Sequence, residues 1–276
     1  MKMRTWACLL SASFLAAIAV CAAGLIEPQG KNIEERFAPP RGYRRVACEK
    51  GGFAEYLRGY RLKPHGSEVK LFDGSTKANM VWEAVLDMPI LQRDLIQCAD
   101  AVIKLRAEYF FSRGEYDRIE FTLTNGMKVP FSRFTEGWNV KVKGNRTEWV
   151  RWGKAGTSRD VFDDYLRFIY TYCGTKSLAK EMVDVPVWDM RIGDVFIEGG
   201  SPGHAVVVMD LAESVKGEKV MILAQSFMPS QEMHVLKGDE GISPWYRVGD
   251  GELKTPEWKF KKGSLKRFRE KEKHGG

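Results

Sequence analysis

Apolar and polar positions follow two rhythms along this chain. In residues 91–113, Leu95, Ala99, Val102, Leu105 and Tyr109 recur every three or four positions, Arg93, Asp94, Lys104 and Arg106 fall on other faces, and Gly114 follows. That period predicts an amphipathic helix. Residues 159–172 repeat it with Val161, Phe162, Tyr165, Leu166, Phe168 and Ile169, and Gly174 stands where a C-terminal cap is expected. Shorter helices are expected over 52–58 and 177–182. Strands are expected at 43–46 and at 69–72, the latter ending at Asp73-Gly74. A hairpin should join 119–124 to 127–131 through Asn125-Gly126. Beyond residue 190 the rhythm changes to short apolar runs at 194–197, 205–210, 220–224 and 234–236, which read as strands. A Pro-, Gly- and Trp-rich wrap follows through Trp258. Helices early and consecutive strands late predict an α+β domain rather than a doubly wound sheet.

The N-terminus has a different character. Lys2 and Arg4 precede the uncharged apolar run 9–20, and small residues surround Cys21-Ala22-Ala23. Residues 1–23 therefore read as an export signal, too short in its apolar part for a bilayer span of ~20 residues. Residues 18–21, Ile-Ala-Val-Cys, are similar to a bacterial lipoprotein box, although Val20 stands where a small residue is usual. Soluble secretion and membrane attachment through a lipidated Cys21 are both left open. The product would be periplasmic, outer-membrane-anchored or secreted. Residues 24–42, with Pro28, Gly30, Pro39, Pro40 and Gly42, read as a linker, 43–260 as one α+β domain and 261–276 as a basic tail.

Composition narrows the partners. The chain is 44% hydrophobic with eight tryptophans, enough for a packed core. Its net charge of +7 is concentrated at the ends. Lys2 and Arg4 leave with the signal, and Lys261, Lys262, Lys266, Arg267, Arg269, Lys271 and Lys273 outnumber Glu270 and Glu272 in the tail. The body is close to neutral, which argues against nucleic acid as a partner. The tail reads as a solvated, frayed terminus. Cys48, Cys98 and Cys173 remain in the mature chain, an odd number that argues against a disulfide framework.

Several chemistries are excluded by motif. No HExxH, CxxC pair or Cys/His cluster at metal spacing is present, so neither metal nor cofactor is expected. The glycines at 199–203 precede a strand, whereas a phosphate cradle needs a helix start behind it. One constrained histidine remains. His204 opens the second of two strands joined by Gly199–Gly203, its backbone held by the sheet and its ring positioned for general-base work. Cys98 is the better thiol candidate, because it lies in the first two turns of the 91–113 helix, where the macrodipole favours a thiolate. Its alternative role is a buried small apolar residue. Cys173 falls at a helix C-terminus, where the macrodipole disfavours the thiolate, and Cys48 has no evident partner. Gln225, 21 residues after His204 at the end of the next strand, is a candidate to orient the imidazole, with an ordinary strand-end polar group as its alternative. Gln92 and Gln97 precede or adjoin Cys98 and are candidate oxyanion donors. Asp210 is too far along its strand to serve His204, and His65 and His234 are expected to be exposed. Trp138, Trp149 and Trp152 would either plug a core or stack against sugar rings.

Across most of the mature chain, RDLIQCADAVIKLRAEYFF, IGDVFIEGGSPGHAVVVMD, AQSFMPSQEMHVLK and SPWY resemble DUF4846, a domain of unknown function in exported bacterial proteins. A second resemblance covers about a third of the chain. Papain-like hydrolases of the NlpC/P60 and CHAP kind order a cysteine at a helix start, a Gly-Asp before a strand, a Gly-His opening the next strand and a polar residue one strand later. Cys98, Gly193-Asp194, Gly203-His204 and Gln225 follow that order. The usual Asp-Cys-Ser-Gly surroundings are replaced by Gln97-Cys98-Ala99-Asp100, and the segment from Cys98 to Gly193 is long. This resemblance implies a helix packed on an antiparallel sheet with insertions. It also implies a cysteine amidase or peptidase of the cell envelope, with peptidoglycan or peptide amide bonds as substrate. A non-catalytic envelope binding protein on the same scaffold is the rival expectation.

Overall fold

The computed structural model describes residues 24–270. Residues 1–23, read above as an export signal with Cys21, and residues 271–276 lie outside the described residues. The segment read as a linker is not one. Asn32 caps a short helix, α1 (Ile33–Arg36), by accepting a hydrogen bond from the Glu35 N–H at 2.8 Å. Ile33 and Phe37 are fully buried. Proline and glycine punctuation hid two apolar anchors spaced four apart. The chain continues through β1 (Tyr43–Arg45), α2 (Phe53–Arg58) and β2 (Trp82–Val85). Residues 69–72 form isolated bridges only, Lys70 to Thr76 and Leu71 to Gln231. The regular strand of this region is β2, whose alternation was too short to read.

The long helix, α3 (Cys98–Ser112), begins seven residues later than its periodicity indicated. Asp100 is the reason. Its Oδ2 accepts the Gln97 N–H at 3.0 Å, which starts the helix at Cys98. Residues 91–97 are an irregular loop that shares the apolar period without the backbone. The faces of α3 are nearly all buried, including Asp100 and Lys104, so this helix is central rather than amphipathic.

A helical lobe follows. The hairpin β3 (Glu120–Thr122) and β4 (Lys128–Pro130) leads to α4 (Phe131–Thr135). A second hairpin pairs β5 (Asn139–Lys143) with β6 (Arg146–Val150). Helix α5 (Arg159–Tyr172) then stacks Phe162 on Phe111 of α3, ring centres 4.0 Å apart. Gly174 has extended backbone and serves as the N-cap of α6 (Thr175–Glu181), not as the C-cap of α5; Cys173 takes that place. The tryptophans divide by environment: Trp138 and Trp149 are half-buried, with Arg133 over both rings, whereas Trp152 is 64% exposed.

The remaining strands are β7 (Met182–Asp184), β8 (Val195–Glu198), β9 (His204–Ser214), β10 (Lys219–Gln225), β11 (His234–Leu236), β12 (Trp245–Arg247), β13 (Leu253–Lys254), β14 (Lys259–Phe260) and β15 (Leu265–Phe268). Nine strands form one antiparallel sheet with the path β2-β11-β10-β9-β8-β15-β7, while β1 joins β9 and β12 joins β10. The chain is thus a mixed helix-and-sheet fold with an antiparallel sheet. Strand β9 is buried from His204 to Ala212 because helices α1 to α3 cover it. Its Asp210 is fully buried and binds Arg45 and Arg58, each at 2.7 Å.

The basic tail is likewise not frayed over its first part. Strand β15 lies inside the sheet between β8 and β7. Its Arg267 grips Asp194 through two nitrogens, at 2.6 and 2.8 Å, and also binds Asp189. Charge counting missed this because Leu265 and Phe268, both buried, are two apolar residues among many cations. The same contact explains the Gly193-Asp194 pair. Gly193 takes φ +93°, and a Cβ there would come within 3.0 Å of the Phe53 ring. Asp194 locks the last strand to the start of β8.

Candidate active site

The hairpin from β8 to β9 delivers His204. Glu198 and His204 are its closing pair, and the glycines between them permit a tight return. At Gly203 a Cβ would approach the Glu198 carbonyl oxygen to 2.7 Å, so the turn cannot carry a larger residue without shifting. His204 is 2% exposed.

Strand β10 delivers Gln225. Ala224 pairs with Val207, and continuing that antiparallel register sets Phe227 opposite His204, with Gln225 diagonal to it on the same face. The side chains meet accordingly. Gln225 Oε1 lies 2.7 Å from His204 Nε2, and the Phe227 and His204 ring centres are 4.8 Å apart. Trp258 and Phe260, from the β13–β14 hairpin, close round the imidazole at 5.2 and 5.7 Å.

The start of α3 delivers Cys98. The backbone N–H groups of Ala205 and Ala99 are directed at its sulfur. Ala205 directly follows His204, so the thiol lies beside the first residues of β9. Two buried serines hold this junction. Ser230 donates from its hydroxyl to the Ile96 carbonyl at 2.8 Å and from its N–H to Asp94 at 2.6 Å, while the single hydroxyl proton of Ser226 goes to the nearer Gln231 carbonyl at 2.7 Å. The loop before Cys98 is thereby stitched to the loop after Gln225.

Electrostatics leave both groups neutral near pH 7. Burial pushes the Cys98 thiol up to about 11, against the pull of the Ala205 and Ala99 N–H groups. Burial holds His204 down to about 4, against the hydrogen bond to Gln225, and the Lys77 charge acts in the same direction as burial. Asp100, two residues after Cys98, is pushed up to about 7 by burial, and one of its oxygens has no partner.

His204 and Gln225 are therefore joined, Cys98 lies beside the next residue of β9 with no hydrogen bond from its sulfur to His204 among the described residues, and Gln92 stands apart. Gln92 is exposed in the loop before α3, and among the described residues no hydrogen bond joins it to the other three. The Gln97 side chain donates to Asp94 at 3.0 Å. Cys173 donates to the Thr122 carbonyl at 3.3 Å, and burial raises its pKa, as it does that of half-buried Cys48. His65 is exposed as expected. His234 is not: it is fully buried on β11, directly paired with Gln225, because Trp82 of β2 covers it. The turn-rich segment before it suggests exposure, but the strand on either side buries it.

Two residues had no sequence signal. Glu257 accepts from Gln225 Nε2 at 2.7 Å through one oxygen and from Lys77 at 2.7 Å through the other. Both lie outside the strands, in a turn and a loop. Among the described residues no group of three or more His, Cys, Asp or Glu side chains is arranged to hold a metal ion, and no helix is long and apolar enough to cross a membrane.

Residues 33–267 match the model of the family described as Domain of unknown function (4846). No curated protein and no solved structure matched the chain.

Proposed function

The chain belongs to the DUF4846 family, and from the geometry of its own residues we propose that it is an exported, papain-like cysteine hydrolase of amide bonds, with peptidoglycan or peptide substrates in the cell envelope. The observation that carries this reading is the junction of three elements: a helix-start cysteine beside the strand opened by His204, whose ring Gln225 holds at 2.7 Å. A cysteine nucleophile needs a neighbouring base, and the base needs a third group to orient it. The order of these residues in the chain is that of NlpC/P60- and CHAP-like enzymes.

The chemistry starts from a neutral pair. His204, held down to about 4, is unprotonated near pH 7 and able to accept the Cys98 proton as sulfur attacks the substrate carbonyl. The S–C bond forms, the carbonyl becomes an oxyanion, and the N–H groups at the start of α3 are the nearest fixed dipoles to receive it. Collapse breaks the C–N bond, and the imidazolium gives its proton to the departing amine. Water, deprotonated by the same histidine, then attacks the thioester; the C–S bond breaks, the acyl group leaves as a carboxylic acid and the imidazolium returns its proton to the Cys98 sulfur. Trp258 and Phe227 must part for substrate to enter.

Iodoacetamide labelling tests this. Stoichiometric modification of Cys98 near neutral pH, faster than at Cys48 and lost in His204→Ala, is expected. A Cys98 that stays unmodified while half-buried Cys48 reacts overturns the proposal. The closure of the site favours a second reading, a binding protein on the same scaffold, because Cys98 is 9% and His204 2% exposed. Exposed Trp152 would then be a contact surface, and Trp152→Ala should abolish retention on purified cell wall.

A further inference from the structure

His204 is the end of a chain of four side chains. Lys77 donates to Glu257, Glu257 accepts from the Gln225 amide nitrogen, and the Gln225 oxygen faces His204 Nε2, each link 2.7 Å long. The Lys77 and Glu257 side chains are only 8% and 10% exposed. A buried ion pair of this kind adds little net stability, because desolvation offsets its attraction. Its position beside the amide is therefore the more informative property.

We propose that Glu257, held by Lys77, is a positioning residue that fixes the tautomer of His204. The argument uses donors and acceptors alone. An amide presents oxygen on one side and NH₂ on the other, and both ways round fit the same space. A carboxylate only accepts, so Glu257 requires the NH₂ of Gln225 to face it. The amide oxygen must then face His204, and oxygen also only accepts, so Nε2 carries the proton. Nδ1 is left with its lone pair, free to take a proton. Flipping the amide would set an oxygen against the Glu257 carboxylate at 2.7 Å and would reverse the tautomer. Gln225 alone holds the ring but does not choose between the two states. Lys77 keeps the carboxylate in place and also stacks over Phe227, 5.4 Å from its ring centre. Glu257 and Trp258 share one turn, so the segment that covers the imidazole also sets its proton.

The consequence for catalysis rests on the hydrolase reading, but the tautomer itself does not. Imidazole ¹⁵N–¹H correlation spectra of the mature protein read it directly. The unaltered chain should show His204 protonated on Nε2. Glu257→Gln, which keeps the shape and adds a donor, should give a mixture of tautomers and slow Cys98 alkylation about tenfold or more. Glu257→Asp should restore part of both, and Lys77→Met should give a smaller effect in the same direction. If Glu257→Gln does not fold, Lys77→Met and the unaltered chain still decide. His204 protonated on Nδ1 in the unaltered chain, or on Nε2 to the same extent in both variants, overturns the proposal. Should Cys98 prove inert while the tautomer follows Glu257, the hydrolase reading fails and this inference stands. Should Cys98 react through His204 while the tautomer ignores Glu257, the reverse holds.

Discussion

His204 and His234 flank strand β10 at nearly the same level, both buried, and differ in what their second nitrogen meets. His234 donates from Nδ1 to the Glu232 carbonyl at 2.9 Å, and its Nε2 is buried without a partner. His204 is bonded through Nε2 to an amide that is itself held by a carboxylate and a lysine. Burial holds both rings well below the usual range, to about 3 for His234 and about 4 for His204. A depressed pKa therefore does not separate a working histidine from a structural one. The difference lies in the neighbours: a held amide against one ring, with the helix-start thiol beside the next residue of its strand, and the Trp82 ring beside the other.

The largest test of this contrast is mutation of the two rings. His204→Ala should lower Cys98 alkylation and any amidase activity by roughly 10²- to 10⁴-fold, the usual contribution of a general base. His234→Phe should leave both within a few-fold, and a comparable loss there would erase the distinction.

Acid stability should join what activity separates. A histidine whose folded pKa lies below its unfolded value of 6.5 contributes stability that is present above 6.5 and lost as pH falls toward the folded pKa. Between pH 6.5 and about 4 the unfolded chain binds more protons, so both rings weaken the fold on acidification. Asp100 and Glu181, each raised to about 7, act oppositely and favour the fold as pH falls from 7 toward 4. Comparing variants removes that background. Urea melts from pH 7 to 4 should show His234→Phe losing less stability than the unaltered chain, by at most about 3 kcal/mol. An unchanged pH slope would show that His234 is not buried in its neutral form.

Smaller effects should follow at the supports of the His204 side. Ser230→Ala removes the hydroxyl that joins Ile96 to the loop after β10. It should cost about 1–2 kcal/mol in melts and slow Cys98 alkylation, with no counterpart on the His234 side. Smallest of all, Trp258→Ala should uncover the imidazole and speed alkylation a few-fold. Equal rates would mean that access is limited elsewhere.

Legibility in the sequence followed the range of the interactions involved. The α5 helix, the β8–β9 hairpin with its glycines and the place of His204 at a strand mouth were readable because neighbours in sequence decide them. The start of α3 was misjudged because Leu91 and Leu95 continue the apolar period, while Asp100 caps the helix at Gln97. Ile33, Phe37, Leu265 and Phe268 were assigned to a linker and a tail because flanking prolines and cations masked isolated apolar anchors. The turn-rich setting of His234 suggests exposure, and only strand pairing on both sides buries it.

By itself the chain determined its hairpins, its principal helices and the order Cys98, His204, Gln225, since turn chemistry and periodicity act over a few residues. Tertiary structure alone decided which of these meet. The register of β9 on β10 sets Gln225 diagonal to His204, the Ser230 bonds to Asp94 and Ile96 tie the loop before Cys98 to the loop after β10, and the return of the β13–β14 turn adds Glu257 to Lys77. Those contacts span 21 to 180 positions. No local pattern encodes them, because each depends on where separate elements pack.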